Sequence, residues 1–154
     1  MIILNDAVNI EIFNAPKLVG DANNKIKSSI NEFVKAFKIT EVKLDISFCT
    51  KDEIKELNKK FRNKEVSTNV LSFPDIAFQG IRKSCKGEII ISMDVIAEEV
   101  LNTSKNEIDH LIHLLVHSML HLLGYQHDLE NDAILMERKE IEFLSKIGIH
   151  NPYK

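Results

Sequence analysis

One apolar segment in the second half of the chain constrains the fold more than any other feature. Apolar residues cover most of the circumference of a helix here: Ile108, Leu111, Ile112, Leu115, Val116, Met119, Leu120, Leu122 and Leu123. A helix that is apolar on most sides belongs in the core of a domain. Ser104 and Glu107 have the spacing of a capping box, which predicts that the helix begins there. Gly124 is predicted to end it, because glycine readily adopts the positive φ found after a last helical turn.

Two histidines on this helix are predicted to face the same way. His117 and His121 are four residues apart, slightly more than one helical turn. A reversal of the chain at Gly124 would bring His127 toward them. Three imidazoles with a fourth position left open are typical of a catalytic zinc site rather than a structural one. The spacing equals that of the long zinc-protease signature, but Ser118 stands where those proteases carry the glutamate that acts as the general base.

The remaining segments predict an α+β fold. Alternating and continuous apolar runs predict strands at residues 7–13, 42–48, 68–73 and 86–93. Further helices are predicted at 21–37, after a capping box formed by Thr50 and Glu53, at 94–101 with Asp94 as its cap, and at 130–147. We therefore expect one domain, 1–154, with a small mixed four-stranded sheet packed with about five helices. Its metal site would lie on the long central helix and the turn that follows.

Charge and composition exclude some classes of protein. The net charge of −3 is not typical of a nucleic-acid-binding domain, so any RNA contact would come from local basic patches and a bound metal. The first residues lack a basic region followed by an apolar run, and no run of about 18 apolar residues occurs, so neither a secretion signal nor a membrane span is expected. The two cysteines, Cys49 and Cys85, are too few for a disulfide scaffold and favour packing roles in a reducing, cytoplasmic compartment.

Three sequence blocks occur in an order that is typical of one known family. In the histidine segment, the residues that fit the motif His-Gly-x-Leu-His-Leu-x-Gly-Tyr-Asp-His are Leu120, His121, Leu122, Gly124, Tyr125 and His127. An upstream block runs from Leu57-Asn58 through Phe61-Arg62 and continues at 68–74, and a third, at 87–91, resembles a Gly-Asp-Ile strand. Together the blocks resemble the YbeY family of bacterial endoribonucleases, and they extend over most of the chain.

This resemblance implies an activity, a cofactor and partners. The implied activity is metal-dependent, single-strand-specific endoribonuclease cleavage in the maturation of ribosomal RNA, at the 3′ end of 16S rRNA, and in ribosome quality control. The implied cofactor is one zinc ion held by His117, His121 and His127. The implied partners are single-stranded RNA and the small ribosomal subunit in the cytoplasm. The oligomeric state is left open.

Arg62 is the predicted catalytic residue, because it matches an arginine position of the YbeY pattern. A guanidinium can hold, in bidentate fashion, the negative charge that a phosphodiester gathers in its transition state. The cations predicted to hold flanking phosphates are Lys59, Lys60, Lys64, Arg82 and Lys83. A solvated helix end is the alternative for the lysines near residue 62, since cations favour helix C-termini.

Three further residues are predicted to support the metal ligands: His113, Asp128 and Glu140. Metal-bound histidines usually donate their other ring nitrogen to a carboxylate or a carbonyl. Glu140 follows Met136 in a pattern that resembles the last YbeY helix, although a surface charge or a packing salt bridge is its alternative role. His113 is favoured as a supporting or core residue over a ligand, because a fourth ligand would close the site.

Three positions depart from the YbeY pattern and leave alternatives open. Ser118 replaces a glycine, Gln126 replaces an aspartate before the third histidine, and Glu88 replaces an aspartate in the strand. Asp128 is hypothesised to take over from the carboxylate lost at position 126. One alternative function is a zinc hydrolase of a non-RNA substrate such as a peptide, although the missing glutamate at position 118 argues against the usual protease mechanism. The other is a ribosome-assembly factor with a structural metal site.

Overall fold

The computed structural model describes residues 2–4, 7–76 and 80–153 of the chain. The strands are β1 (Ile2–Leu4), β2 (Val8–Phe13), β3 (Glu41–Phe48), β4 (Val70–Pro74) and β5 (Ser84–Ile91). The helices are α1 (Lys17–Asp21), α2 (Asn23–Ala36), α3 (Lys51–Arg62), α4 (Met93–Val100), α5 (Glu107–Leu123) and α6 (Glu130–Lys146). No helix within these described ranges is long and apolar enough to cross a membrane.

The strands form one mixed sheet in the order β1-β2-β3-β5-β4. β2, β3 and β5 are parallel, whereas β1 and β4 pair antiparallel with their neighbours at the two edges. The predicted α+β class is confirmed, and all four predicted strands are present. Within the described residues, the short edge strand β1 brings the sheet to five strands, and the five-residue helix α1 brings the helices to six.

The two faces of the sheet are covered unequally. The alternating apolar residues of β2 and β3 are buried on one face, where they share a large cluster with α2, α5 and α6. On the other face, a smaller cluster joins Ile54 of α3 and Val95 of α4 to Leu71 and Ile90. Because Ile89 and Ile91 of β5 belong to the large cluster and Ile90 to the small one, this strand is covered on both faces, as its apolar run predicted.

Helix α5 lies in the large core, and 11 of its 17 residues are buried. It begins later than the sequence predicted: the cap is Asn106, whose side-chain oxygen accepts the Asp109 N–H at 2.8 Å. The predicted Ser104 capping box is therefore wrong, because an equally good cap lies two residues farther along. Gly124 ends the helix as predicted, with φ 112°, and its N–H donates to the carbonyl oxygen of His121 at 2.9 Å.

The other helix starts show one confirmed cap and one corrected cap. Thr50 and Glu53 form the predicted capping box at the start of α3. Asp94 does not cap α4, which begins after Ser92. Its carboxylate accepts instead the Lys51 N–H at 3.1 Å, so it ties the starts of α3 and α4 together. An acidic side chain at the start of one helix therefore accepts a hydrogen bond from the start of another helix. The residue spacing within a single helix does not predict such a contact.

A single glycine lets the end of α5 lie close against the sheet. Gly87 sits in β5, opposite Pro74 of β4. A Cβ at this position would collide with the carbonyl oxygen of Phe73 and would lie 3.0 Å from Cδ2 of Leu122. Glycine at position 87 therefore sets how close the last turn of α5 comes to the sheet.

Candidate metal centre

The histidine cluster is built by one helix and the turn after it. His117 and His121 lie on successive turns of α5, and the left-handed Gly124 reverses the chain. The Tyr125 N–H donates to the Leu120 carbonyl oxygen at 3.0 Å, which holds the reversed segment against the helix end. His127 thereby reaches the other two rings: one potential ligand atom from each histidine lies within 4.8 Å of the others.

The protein fixes the orientation of two of the three rings. Nδ1 of His117 contacts Oε1 of Glu140, and Nδ1 of His121 lies 3.1 Å from the carbonyl oxygen of Tyr125. A carbonyl or an ionised carboxylate only accepts hydrogen bonds, so both Nδ1 atoms carry the ring hydrogen. Nε2 of each ring is then left as a lone-pair donor, which is the arrangement expected of metal-binding histidines.

The surroundings of the cluster favour a neutral His121 ring and an ionised Glu140 carboxylate. Burial, and then the neighbouring His117 and His127, lower the pKa of His121 to about 4, so its ring is neutral at pH 7. Burial acts to raise the pKa of Glu140, but its polar contacts with His113, His117 and Tyr153 outweigh this and bring the pKa to about 2. A neutral imidazole backed by an anionic carboxylate suits a cation.

Glu140 is a buried carboxylate at the back of the cluster. Its side chain is 0% exposed, and Met136 is buried one turn earlier on α6. Oε2 accepts a hydrogen bond from the Tyr153 hydroxyl, and Nε2 of His113 lies 3.5 Å from the same oxygen. Burial, and then the carboxylate, raise the pKa of the Tyr153 phenol, which therefore remains a donor. Glu140 is therefore not a surface charge, and among the described residues its ion-pair partners are His113 and His117, so it also pairs α6 with α5.

The cluster is open to solvent on one side. His117 and His121 are half-buried, whereas His127 is exposed. Neighbouring ring centroids are 4.8 Å apart for His117 and His121 and 4.5 Å apart for His121 and His127. Three nitrogen ligands at the surface fit a metal ion that keeps a position free for another molecule.

The structure shows where one sequence departure, Ser118, and the residue hypothesised to compensate for another, Asp128, lie. Ser118 is a completely buried residue of α5, and its hydroxyl has no hydrogen-bond partner among the described residues. Asp128 is exposed, and within the described ranges no hydrogen bond links it to His127. The structure gives the orienting contacts to Glu140 and to the Tyr125 carbonyl, so the proposed substitution by Asp128 stays a hypothesis.

Arg62 is the last residue of α3 and is exposed. The preceding residue, Phe61, packs edge-on against Phe73 at a centroid distance of 5.4 Å. Phe73 pairs with Glu88, one position from Gly87, against which Leu122 packs on the opposite face. The ends of α3 and α5 therefore lie at the same end of the β4–β5 pair. Within the described residues, no hydrogen bond or ion pair joins Arg62 to the histidines.

The predicted RNA-binding cations divide into two groups. Lys59, Lys60 and Lys64 are exposed at the end of α3, where Lys59 pairs with Glu65 at 3.2 Å. Arg82 and Lys83 are engaged elsewhere. The guanidinium of Arg82 donates to the Leu122 carbonyl oxygen at 3.1 Å and pairs with Asp75, and Lys83 donates to the Phe37 carbonyl oxygen at 3.3 Å.

Comparison with known proteins decides the family. The family model described as Endoribonuclease YbeY matches residues 11–148. This chain belongs to the YbeY family. The matched region contains Arg62, Glu140 and the three clustered histidines, whereas Tyr153 lies outside it.

Several relatives named Endoribonuclease YbeY are similar over most of their length. The Ruthia magnifica protein is 39% identical over 128 residues, which cover 83% of this chain and 88% of the relative. The Francisella tularensis subsp. novicida protein is 32% identical over 152 residues, covering 96% and 94%. The Coxiella burnetii protein is 43% identical over 111 residues, covering 72% and 73%. These alignments cover between 72% and 96% of this chain and agree with the YbeY assignment.

A solved structure shares the fold. The solution structure of TM1509 from Thermotoga maritima is similar with a TM-score of 0.66 and 27% identity, over 90% of this chain and 88% of that one.

Two contacts at the site were not predicted from the sequence. The Tyr125 carbonyl belongs to the backbone and carries no residue signal, and Tyr153 is distant in sequence from every residue it supports.

Proposed function

We propose that this protein is a metal-dependent, single-strand-specific endoribonuclease that matures ribosomal RNA in the cytoplasm. Processing of the 3′ end of 16S rRNA on the small ribosomal subunit, and ribosome quality control, are the proposed roles. Membership of the YbeY family supports RNA cleavage. The observation that carries the proposal is the orientation of His117 and His121, whose Nδ1 atoms are held by the protein while Nε2 is left for an ion.

His117, His121 and His127 would hold one ion, for which we propose zinc. The donor set fits, because three imidazole nitrogens suit zinc and are typical of its catalytic sites. Nickel, copper and iron accept the same ligands, so the choice of zinc rests on the resemblance to zinc-site spacing. When bound, such an ion acts as a Lewis acid and lowers the pKa of water to about 7.

The chain's own residues would orient the ligands and bind the substrate. Glu140 fixes the ring of His117, and the Tyr125 carbonyl fixes that of His121. Arg62 would hold the scissile phosphodiester in bidentate fashion as its charge grows. The exposed lysines near Arg62 would bind flanking phosphates, whereas Arg82 and Lys83, already engaged with carbonyls, would contribute only long-range attraction.

The position of Arg62 supports a single-stranded substrate. The ends of α3 and α5 lie at one end of the β4–β5 pair, but on opposite faces of the sheet. A substrate that reaches both would have to bend from one face of the sheet to the other. A single strand is flexible enough to do this, whereas an A-form duplex is recognised mainly by its fixed shape.

The test is to incubate the zinc-loaded protein with three substrates: a single-stranded RNA, the same RNA in a duplex, and casein. We expect internal cleavage of the single strand, at a rate at least about tenfold above the duplex because of the bend required, and no cleavage of casein. Proteolysis without RNA cleavage would replace the proposal with a zinc peptidase. Binding of RNA without any cleavage would favour an assembly factor with a structural metal.

A further inference from the structure

A chain of hydrogen bonds runs from the C-terminal tail to the first metal ligand. The Tyr153 hydroxyl donates to Oε2 of Glu140, and Oε1 of the same carboxylate accepts from Nδ1 of His117. From this we infer that Tyr153 is a positioning residue for the metal centre: it holds the carboxylate that holds the ligand. The inference rests on the proposed function only in that His117 must bind the ion.

The burial of Glu140 makes its second donor necessary. A carboxylate offers about four acceptor positions, and one that is completely buried must be satisfied by the protein rather than by bulk solvent. Oε1 is satisfied by His117. For Oε2, the nitrogen of His113 at 3.5 Å is too distant for a good hydrogen bond, so the Tyr153 hydroxyl is its effective donor. Without that hydroxyl, the carboxylate group gains freedom to rotate away from His117.

The tail is held in place independently of the phenol. Gly148 turns the chain after α6 with φ 83°, and the buried Ile149 donates its N–H to the Leu144 carbonyl oxygen at 2.8 Å. Lys105 donates to the Pro152 carbonyl oxygen at 2.9 Å, from the loop before α5. The Tyr153 ring also packs edge-on against His113, with centroids 5.7 Å apart. Removing only the hydroxyl should therefore leave the tail folded.

The contact joins the region matched by the family model to a residue outside it. The YbeY match ends at residue 148, five residues before Tyr153. The matched segment provides the carboxylate, and the tail of this chain provides its second donor. The tail would thus tune a centre whose ligands belong to the family pattern.

The test is Tyr153→Phe in the full chain, with Zn²⁺ affinity measured by competition against a chelator. Losing a direct carboxylate partner of a ligand typically weakens metal binding by about 10- to 100-fold, so a contact one step farther away should cost about 3- to 10-fold. The absorption spectrum of the Co²⁺-loaded variant should also change, because the His117 ring is less firmly held. Lys105→Met is the matched control: it removes one contact of the tail, which the buried Ile149 still holds, and leaves the Tyr153 phenol on the carboxylate, so it should bind Zn²⁺ as the wild type does.

A double variant tests whether Tyr153 acts through Glu140. In a Glu140→Gln background, Tyr153→Phe should cost less affinity than it does alone, because the carboxylate it positions is gone. The inference is overturned if Tyr153→Phe keeps both the wild-type affinity and the wild-type Co²⁺ spectrum, if Lys105→Met loses as much, or if the losses simply multiply. Wild-type protein that binds neither Zn²⁺ nor Co²⁺ would instead remove the metal centre itself, and this inference with it.

Discussion

Replacing His121 with alanine is expected to abolish tight metal binding and to reduce RNA cleavage by about three orders of magnitude or more, equivalent to about 4 kcal/mol of transition-state stabilisation. His121 lies between the other two ligands, 4.5 Å from the ring of His127 and 4.8 Å from that of His117. Its loss leaves only the imidazoles of His117 and His127 as ligands. Metal content by elemental analysis and cleavage of a single-stranded RNA are the two measurements.

The fold should survive this change. His121 is half-buried at the surface end of α5, so alanine opens a space that water can enter rather than a cavity in the core. His150→Ala is the control, because His150 is an exposed tail histidine outside the cluster. It should keep both metal and activity. A His121→Ala protein that retains one tightly bound ion per chain would show that the ion is held elsewhere.

Replacing Arg62 with alanine is expected to lower kcat on single-stranded RNA by about 100- to 1000-fold, or about 2.7–4 kcal/mol, the usual cost of losing one group that stabilises transition-state charge. Because Arg62 is exposed and no hydrogen bond or ion pair among the described residues joins it to the histidines, metal content and thermal stability should stay at wild-type values. Steady-state kinetics with separate kcat and KM values is the measurement.

Two further variants define the role of Arg62. Arg62→Lys keeps the positive charge but not the planar fork, so it should recover only part of the lost kcat. Lys55→Ala, an exposed cation on the same helix, should change neither constant appreciably. If Arg62→Ala raises KM and leaves kcat unchanged, Arg62 only binds flanking phosphate and does not act on the reacting group.

The elements with strong local periodicity were predictable from the sequence. The alternation at 42–48 gave β3 to within one residue, and Gly124 ended α5 as expected. Short elements carry too little pattern to be recognised, and the three residues of β1 and the five of α1 were missed. The start of α5 was misplaced because the sequence offers two good caps, Ser104 and Asn106, and local spacing does not choose between them.

At the site, contacts between residues close in sequence were predictable, whereas contacts between residues distant in sequence were not. His117, His121 and His127 lie within eleven residues, so helical spacing and one glycine turn were enough to predict that they meet. The Tyr153 contact joins Glu140 of α6 to the C-terminal tail, a segment that has no periodic pattern. Arg82 was predicted to bind RNA because it is basic, but packing turns its guanidinium toward the Leu122 carbonyl at the end of α5. Composition gives charge, whereas tertiary structure decides what that charge contacts.

The most direct test of the central claim is to remove metal from the purified protein and restore it while RNA cleavage is followed. The metal-free chain should cleave single-stranded RNA at background level. Added Zn²⁺ should restore cleavage in proportion to the amount of metal bound, with saturation at one ion per chain. The His121→Ala protein should show no such recovery. Full cleavage by the metal-free chain, or recovery that does not depend on His121, would contradict the account.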